Sequence, residues 1–203
     1  MRSVQVPNLR SMDIEYEATF YPIDKDEMRV KLKKVGAKLI RPEFLQKRDV
    51  FYLPDKRKHA WLRVRDEGDR ITMSLKIVDG DKIDDQKEIC FKIDSYNKGI
   101  EFLKTIGCEW KGYQETKREL WKLNDVEITI DEWPFLEPFV EVEGKSEQEV
   151  RLVSEKIGLN YKKAMFCAIG ALYKMKYDVS LTYINNKIPR ITFESKNPFL
   201  PKT

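Results

Sequence analysis

Strand-like runs of β-forming residues, with polar and apolar positions interleaved, occupy residues 13–22, 44–53, 59–66, 70–78, 85–94, 113–123, 125–133 and 137–144. Their links, "DEGD", "DGDK" and "LND", are short and turn-forming, which predicts antiparallel hairpins. Helical periodicity appears between them. In "DKDEMRVKLKKVG" Asp24 and Glu27 have the spacing of a capping box, Met28, Leu32 and Val35 form one stripe, and Gly36 stops the helix. "SYNKGIEFLKTIG" repeats the plan with Ser95 as cap, Ile100, Leu103 and Ile106 facing inward, and Gly107 as stop. "SEQEVRLVSEKIG" repeats it again with Ser146, Glu149 and Gly158. "KKAMFCAIGALYKMKY" is more evenly apolar and predicts a buried C-terminal helix.

An internal echo orders these elements. "KRDVFYL" at 47–53 matches "KRELWKL" at 117–123, and with one more residue of offset Glu17 matches Glu88, Asp24 matches Ser95 and Gly36 matches Gly107. Each half then runs strand, helix, strand and hairpin, so two halves related by a pseudo-twofold axis are expected. The fold class is α+β: an eight-stranded antiparallel barrel, closed or nearly closed, with the helices outside. A loose leader is expected over 1–11, a barrel domain over 12–177, and a loosely packed arm over 178–203.

Charge placement changes the picture. Glu15 and Glu17 share one strand face, as do Arg63 and Arg65, then Thr72, Ser74 and Lys76, then Glu127, Thr129 and Asp131, and finally Glu141 and Glu143. The residues between them, such as Ile14, Val64, Met73, Ile128 and Val142, are apolar. Most polar strand faces are simply solvated. Here the charges come in like-signed pairs, which is unfavourable on an open surface without counter-charge. A barrel with a polar lumen and apolar faces under helices resolves the conflict, with acidic and basic clusters lining the lumen. Paired carboxylates are the hard oxygen ligands that Mg²⁺ or Mn²⁺ prefers, and Arg and Lys bind phosphate oxygens. Together they suit a metal-bound polyphosphate.

Composition excludes several other classes. The 38 basic and 34 acidic residues leave a net charge of +4, without the lopsided footprint of a nucleic-acid binder. No run approaches membrane-span length, and the N-terminal "MRSVQVPNLRSMD" lacks a signal-peptide core. Cys90, Cys108 and Cys167 are widely spaced with no CxxC, which fits a reduced, cytoplasmic setting. The one histidine, His59, reads as a turn or strand-edge residue rather than as part of a zinc site or a Ser-His-Asp arrangement. No GxxxxGK[ST] phosphate loop is present.

With these residues in view, the chain resembles the CYTH-domain proteins of the triphosphate tunnel metalloenzyme superfamily, which includes class IV adenylyl cyclases and thiamine, inorganic and RNA triphosphatases. The resemblance rests on "EYEAT" at the position of an ExExK strand, then "LRVR", "SLK", "KRELW" and "DEWPFLEPFVEVEG" in the family's order, over roughly 12–177. It implies that Glu15, Glu17, Glu143 and Glu141 hold Mg²⁺ or Mn²⁺. It implies further that Arg63, Arg65, Lys76 and Arg118 grip phosphates, and that Asp131 and Glu88 line the tunnel. Glu15, Glu17, Lys76, Arg118 and Asp131 are then the catalytic set.

Two positions depart from the family: Thr19 fills the lysine slot of ExExK, and Thr116 stands where a further basic residue is common. Each lost cation is worth roughly tenfold to a hundredfold in binding or rate. Three activities fit the residues: a metal-dependent triphosphatase, a class IV adenylyl cyclase, and a triphosphate binder with little turnover. The expected partner is a small triphosphate such as ATP, tripolyphosphate or thiamine triphosphate, bound by a monomer or homodimer. The tail "YINNKIPRITFESKNPFLPKT" contains a strand-like "RITFE". Trp61, Trp110, Trp121 and Trp133 are expected to pack under helices.

Overall fold

The computed structural model describes residues 12–200, so the expected leader over 1–11 lies outside the described residues. The strands are β1 (Asp13–Ile14), β2 (Tyr16–Phe20), β3 (Lys38–Phe51), β4 (Ala60–Asp66), β5 (Ile71–Val78), β6 (Gln86–Ile93), β7 (Trp110–Leu123), β8 (Val126–Glu132), β9 (Phe139–Gly144) and β10 (Arg190–Ile191). The α-helices are α1 (Lys25–Lys34), α2 (Tyr96–Thr105), α3 (Glu147–Lys156), α4 (Gly170–Tyr177) and α5 (Leu181–Lys187).

The sheet runs β1-β6-β5-β4-β3-β7-β8-β9-β2, antiparallel throughout. β1 and β2 are one strand interrupted at Glu15, and they lie at the two ends of that order, so the chain from 13 to 20 nearly closes the sheet into a barrel. Counted with that strand as one, the barrel has the eight strands expected. The pseudo-twofold runs between β3 and β7, which pair with each other over most of their length. The leading strand of each half is exchanged: β2 pairs with β9 of the second half, and β6 with β5 of the first.

Three helices start where their caps dictate. The Asp24 carboxylate accepts from the backbone N–H groups of Asp26 and Glu27, the Ser95 hydroxyl from that of Lys98, and the Ser146 hydroxyl from that of Glu149. Gly36 and Gly107, equivalent in the echo, end α1 and α2 at φ of +81° and +91°, in the left-handed region that glycine enters without strain.

Met28 and Leu32 of α1, Val150 and Val153 of α3, and Ile157 just after it bury against Ala18, Trp121, Ile128, Ile130, Val140 and Val142, the outer face of β2 and β7–β9. Leu103 of α2 covers Val64 and Phe51 on the other half. Ile106, the residue after α2, is exposed rather than inward-facing; Ile89 and Phe91 on β6 are also exposed. Of the tryptophans, Trp121 and Trp133 are buried. Trp110 is exposed instead, its indole N–H on Asp49, and Trp61 lies on the lumen parity of β4 opposite Lys76.

The C-terminal part differs from the sequence expectation in two ways. The helix foreseen over 162–177 covers only Gly170–Tyr177, because Met165 is drawn into a two-hydrogen-bond bridge with the Thr19 backbone. The tail is packed, not loose: β10 pairs parallel with β7, and Ile184, Ile188, Ile191 and Phe199 join Trp133, Phe139, Leu172 and Tyr173 in a second core. Its apolar residues are spaced by prolines and turns, so no period reveals them in sequence.

Phe199 stacks on Tyr173 and Tyr177, with centroids 4.5 Å and 5.1 Å away. Phe199→Ala is therefore expected to cost about 3 kcal/mol in chemical denaturation; an unchanged midpoint would mean that the arm contributes nothing to the fold.

Candidate functional site in the barrel lumen

Cross-strand register shows which charges meet. Glu17 on β2 is opposite Glu143 on β9, and Glu143 is opposite Glu127 on β8, a row of three carboxylates on adjacent strands. One step along, Thr19, Glu141 and Thr129 form the next row, and beyond it Asp131 is opposite Arg118 on β7. Across the lumen Arg63 and Arg65 on β4 are opposite Ser74 and Thr72 on β5, and Lys76 is opposite Glu88 on β6. Every site residue expected from the sequence lies on this inner face, because strand alternation continues through β2 and β4–β9.

Opposite charges bind these groups into small networks. Lys76 Nζ lies 2.8 Å from Glu15 Oε2 and 3.4 Å from Glu17 Oε1. Arg63 donates to Ser74 Oγ at 2.8 Å and to Glu88 Oε1 at 2.6 Å. Arg118 makes a fork to both Asp131 oxygens, 2.7 and 2.9 Å, and reaches Glu141 Oε2 at 2.7 Å. Asp131 also accepts from Thr129 Oγ1 at 2.6 Å. Arg65 Nε is 2.7 Å from Glu67 Oε1 but too poorly aligned for a hydrogen bond.

Sequence reasoning missed three lumen residues: Gln46, Arg48 and Glu67. Arg48 is only 5% exposed and bonds to Gln46 and Thr116. A signal for it was present, since the offset that aligns "KRDVFYL" with "KRELWKL" aligns Arg48 with Arg118.

Burial and crowding set the protonation of the carboxylates. Desolvation dominates at Glu15, helped by its hydrogen bond to Glu88 and opposed by Lys76, and pushes it up to about 8. Desolvation and the Glu17 charge raise Glu143 to about 7, and the same causes, with Asp131 added, hold Glu141 well above the usual carboxylate range. Glu88 goes the other way: burial is again the largest influence and raises it, but the Arg63 charge, hydrogen bonds with Glu15 and Ser74, and the Lys76 charge together outweigh it and hold it well below the usual carboxylate range.

The donor set fits a hard divalent cation. Glu15, Glu17, Glu141 and Glu143 bring four carboxylates to neighbouring positions of the inner face, the hard oxygen donors that such a cation takes. Among the described residues no three of them are already gathered into a metal cage, because Lys76 and Arg118 hold Glu15, Glu17 and Glu141. These carboxylates are thus engaged by cations of the chain itself.

A nearly closed antiparallel barrel with a lumen of opposed carboxylates and arginines belongs to the triphosphate tunnel class. The chain is a member of the CYTH domain family, whose model matches residues 13–165. An archaeal relative from Methanocaldococcus jannaschii, provisionally named an adenylate cyclase, is 30% identical over 135 residues, 64% of this chain and 76% of that protein. A conserved hypothetical protein of Pyrococcus furiosus matches in structure with a TM-score of 0.66 at 20% identity, over 78% of this chain and 99% of its own. A Hippeastrum protein, described as an adenylyl cyclase candidate with dominant triphosphatase activity, matches at 0.56 and 13% identity, over 81% of this chain and 96% of its own. At such identities the structural matches speak for the fold. No helix among the described residues is long and apolar enough to cross a membrane.

The raised carboxylates make a pH prediction for the metal-free protein. Their folded pKa values lie above the roughly 4.3 of an unfolded Glu, so the folded state holds more protons between about pH 4.5 and 8. Their contribution to stability is full at the acid end of that window and is lost as pH rises through it. The melting temperature should fall by roughly 5 °C from pH 5 to pH 8.5, and millimolar Mn²⁺ should restore more of it at the higher pH. A metal-free melting temperature that rises over this range would contradict the assignment.

Proposed function

We propose that the protein is a divalent-metal-dependent triphosphatase acting on a small inorganic or organic triphosphate. The observation that carries this reading is the opposition of two jaws in one buried lumen: Glu15, Glu17, Glu141 and Glu143 on one side, Arg63, Arg65, Lys76 and Arg118 on the other. Mg²⁺ or Mn²⁺, held by those four carboxylates, supplies charge neutralisation on phosphoryl oxygens.

The chain's own residues do the rest. Arg63 and Arg118 each commit Nε and Nη2 to protein partners, which fixes the plane of the guanidinium and leaves Nη1 for a phosphate oxygen. Asp131, fully buried, is the positioning residue for Arg118, and Glu88 is that for Arg63. Such pre-set donors favour the charge that grows on the transferring phosphoryl group as water attacks in line, since they need not reorganise. Lys76, paired here with Glu15 and Glu17, is the cation that would be free to pair with a phosphate oxygen if Mg²⁺ or Mn²⁺ were held by those carboxylates.

A second reading, cyclisation of ATP, is supported by the name of the Methanocaldococcus relative. The same incubation separates the two: phosphate release from tripolyphosphate, ATP or thiamine triphosphate marks the hydrolase, and cyclic AMP on chromatography marks the cyclase. Phosphate release with Mn²⁺ is expected, and Glu15→Gln should lower it by roughly a hundredfold. Release of neither product from any of the three substrates would overturn both readings and leave a binding module.

Thr19 limits the site on this account. It is 4% exposed and opposite Glu141, in a row without a cation of its own. Thr19→Lys is expected to raise triphosphate affinity or turnover roughly tenfold; kinetics unchanged from wild type would show that the missing lysine does not limit this lumen.

A further inference from the structure

The two halves of the barrel treat one pair of equivalent residues in opposite ways. Arg118 on β7 is opposite Asp131 on β8 and forks onto it. Its echo mate Arg48 on β3 is opposite Arg65 on β4, a cation where the other half has a carboxylate. Two arginines in direct register repel, and among the described residues Arg48 has no ion-pair partner to compensate, whereas Arg65 lies beside Glu67. Its hydrogen bonds go to the neutral Gln46 and Thr116, and its Nε, wholly buried, has no partner among the described residues. Arg63 and Arg118 add to the local positive charge, and Asp131, a carboxylate whose charge is felt at Arg48, is already taken by Arg118. A buried cation left in this state is costly unless an anion completes it.

Arg48 also marks a depth. Along the inner face of β3 the residues run Gln46, Arg48, Val50, so the next position is apolar. There Val50, Gly112 and Gln114 meet Ile169, Tyr173 and Ile188 of the C-terminal segment around a cavity of only about 40 Å³. Trp133 lies face-on to the Arg48 guanidinium, 4.8 Å from ring centroid to Cζ, and Tyr173 is fully buried in the same core. The lumen is thus covered just beyond Arg48, and the remaining space has no room for a nucleoside or a further phosphate ester.

Resting on the triphosphatase reading, we propose that Arg48, with Arg65 and Thr116, binds the terminal phosphoryl group of the substrate at the covered end of the barrel, so that the site accepts only triphosphates with a free chain end. Inorganic tripolyphosphate and nucleoside triphosphates meet that condition. A dinucleoside triphosphate, esterified at both ends, does not. The bound terminal phosphate supplies the anion that Asp131 supplies to Arg118 in the other half.

Calorimetry with tripolyphosphate and with diadenosine triphosphate, each with and without Mn²⁺, tests the proposal on wild type, Arg48→Gln and Arg48→Lys. Wild type is expected to bind tripolyphosphate at least tenfold more tightly than the doubly capped compound. Arg48→Gln is expected to bind tripolyphosphate roughly tenfold to a hundredfold more weakly and, because it removes an uncompensated buried charge, to melt at a higher temperature than wild type in the ligand-free state. Arg48→Lys keeps the charge but loses the fork; it should fall between the two in affinity, and it decides the matter if the glutamine variant does not fold. Tripolyphosphate affinity unchanged in the folded variants, or equal wild-type affinity for the capped and free triphosphates, would overturn this inference while leaving the triphosphatase reading intact. No tripolyphosphate binding by wild type under any condition would overturn both.

Discussion

Like charges in direct register across neighbouring strands are the constraint from which the architecture follows. Glu17, Glu143 and Glu127 stand side by side on β2, β9 and β8, and Arg48 stands beside Arg65 on β3 and β4. On an open sheet such rows repel and gain nothing from standing in register with one another; rolled into a barrel, the acidic row faces the basic one. Lys76 and Arg118 then reach across to Glu15, Glu17 and Glu141. A polar interior cannot supply the hydrophobic driving force, so it has to come from outside the barrel. That is why α1 and α3 cover the outer faces of β2 and β7–β9, and α2 those of β4 and its neighbours.

The pseudo-twofold gives this arrangement its polarity. Two copies of one strand-helix-hairpin plan build the barrel, with Gln46 and Thr116 paired across β3 and β7 near the axis between them. The copies differ in what meets their equivalent arginines: carboxylates at Arg118, another arginine at Arg48. The C-terminal segment breaks the symmetry further, since it packs Tyr173, Ile188 and Ile191 over one end and bridges to Thr19 through Met165. The family match ends at residue 165, so most of this cover lies beyond it.

Much of this was legible in sequence because a period of two carries through strands whether the polar face points to solvent or into a lumen. Glu15 and Glu17, Arg63 and Arg65, and Glu141 and Glu143 could be assigned to one face without any knowledge of closure. The helix caps Asp24, Ser95 and Ser146 were legible because each satisfies backbone donors within a few residues of itself. What alternation could not show is which strands are neighbours, so the row of three carboxylates and the Arg48–Arg65 opposition were invisible. Arg48 was also disguised by its setting between Lys47 and Asp49, where it reads as one charge among several. The tail failed for another reason: Ile184, Ile188, Ile191 and Phe199 bury in a core made by distant residues, and no local pattern announces that.

The central claim is that the acidic jaw takes a divalent cation and the basic jaw takes the phosphates, in one lumen. The most direct measurement is an anomalous-difference map from crystals grown with Mn²⁺ and a non-hydrolysable triphosphate. The account predicts an Mn²⁺ peak ligated by carboxylates from among Glu15, Glu17, Glu141 and Glu143, with phosphate oxygens within hydrogen-bonding distance of Arg63, Arg65 and Arg118. A lumen without Mn²⁺, or phosphates bound outside the barrel, would contradict it.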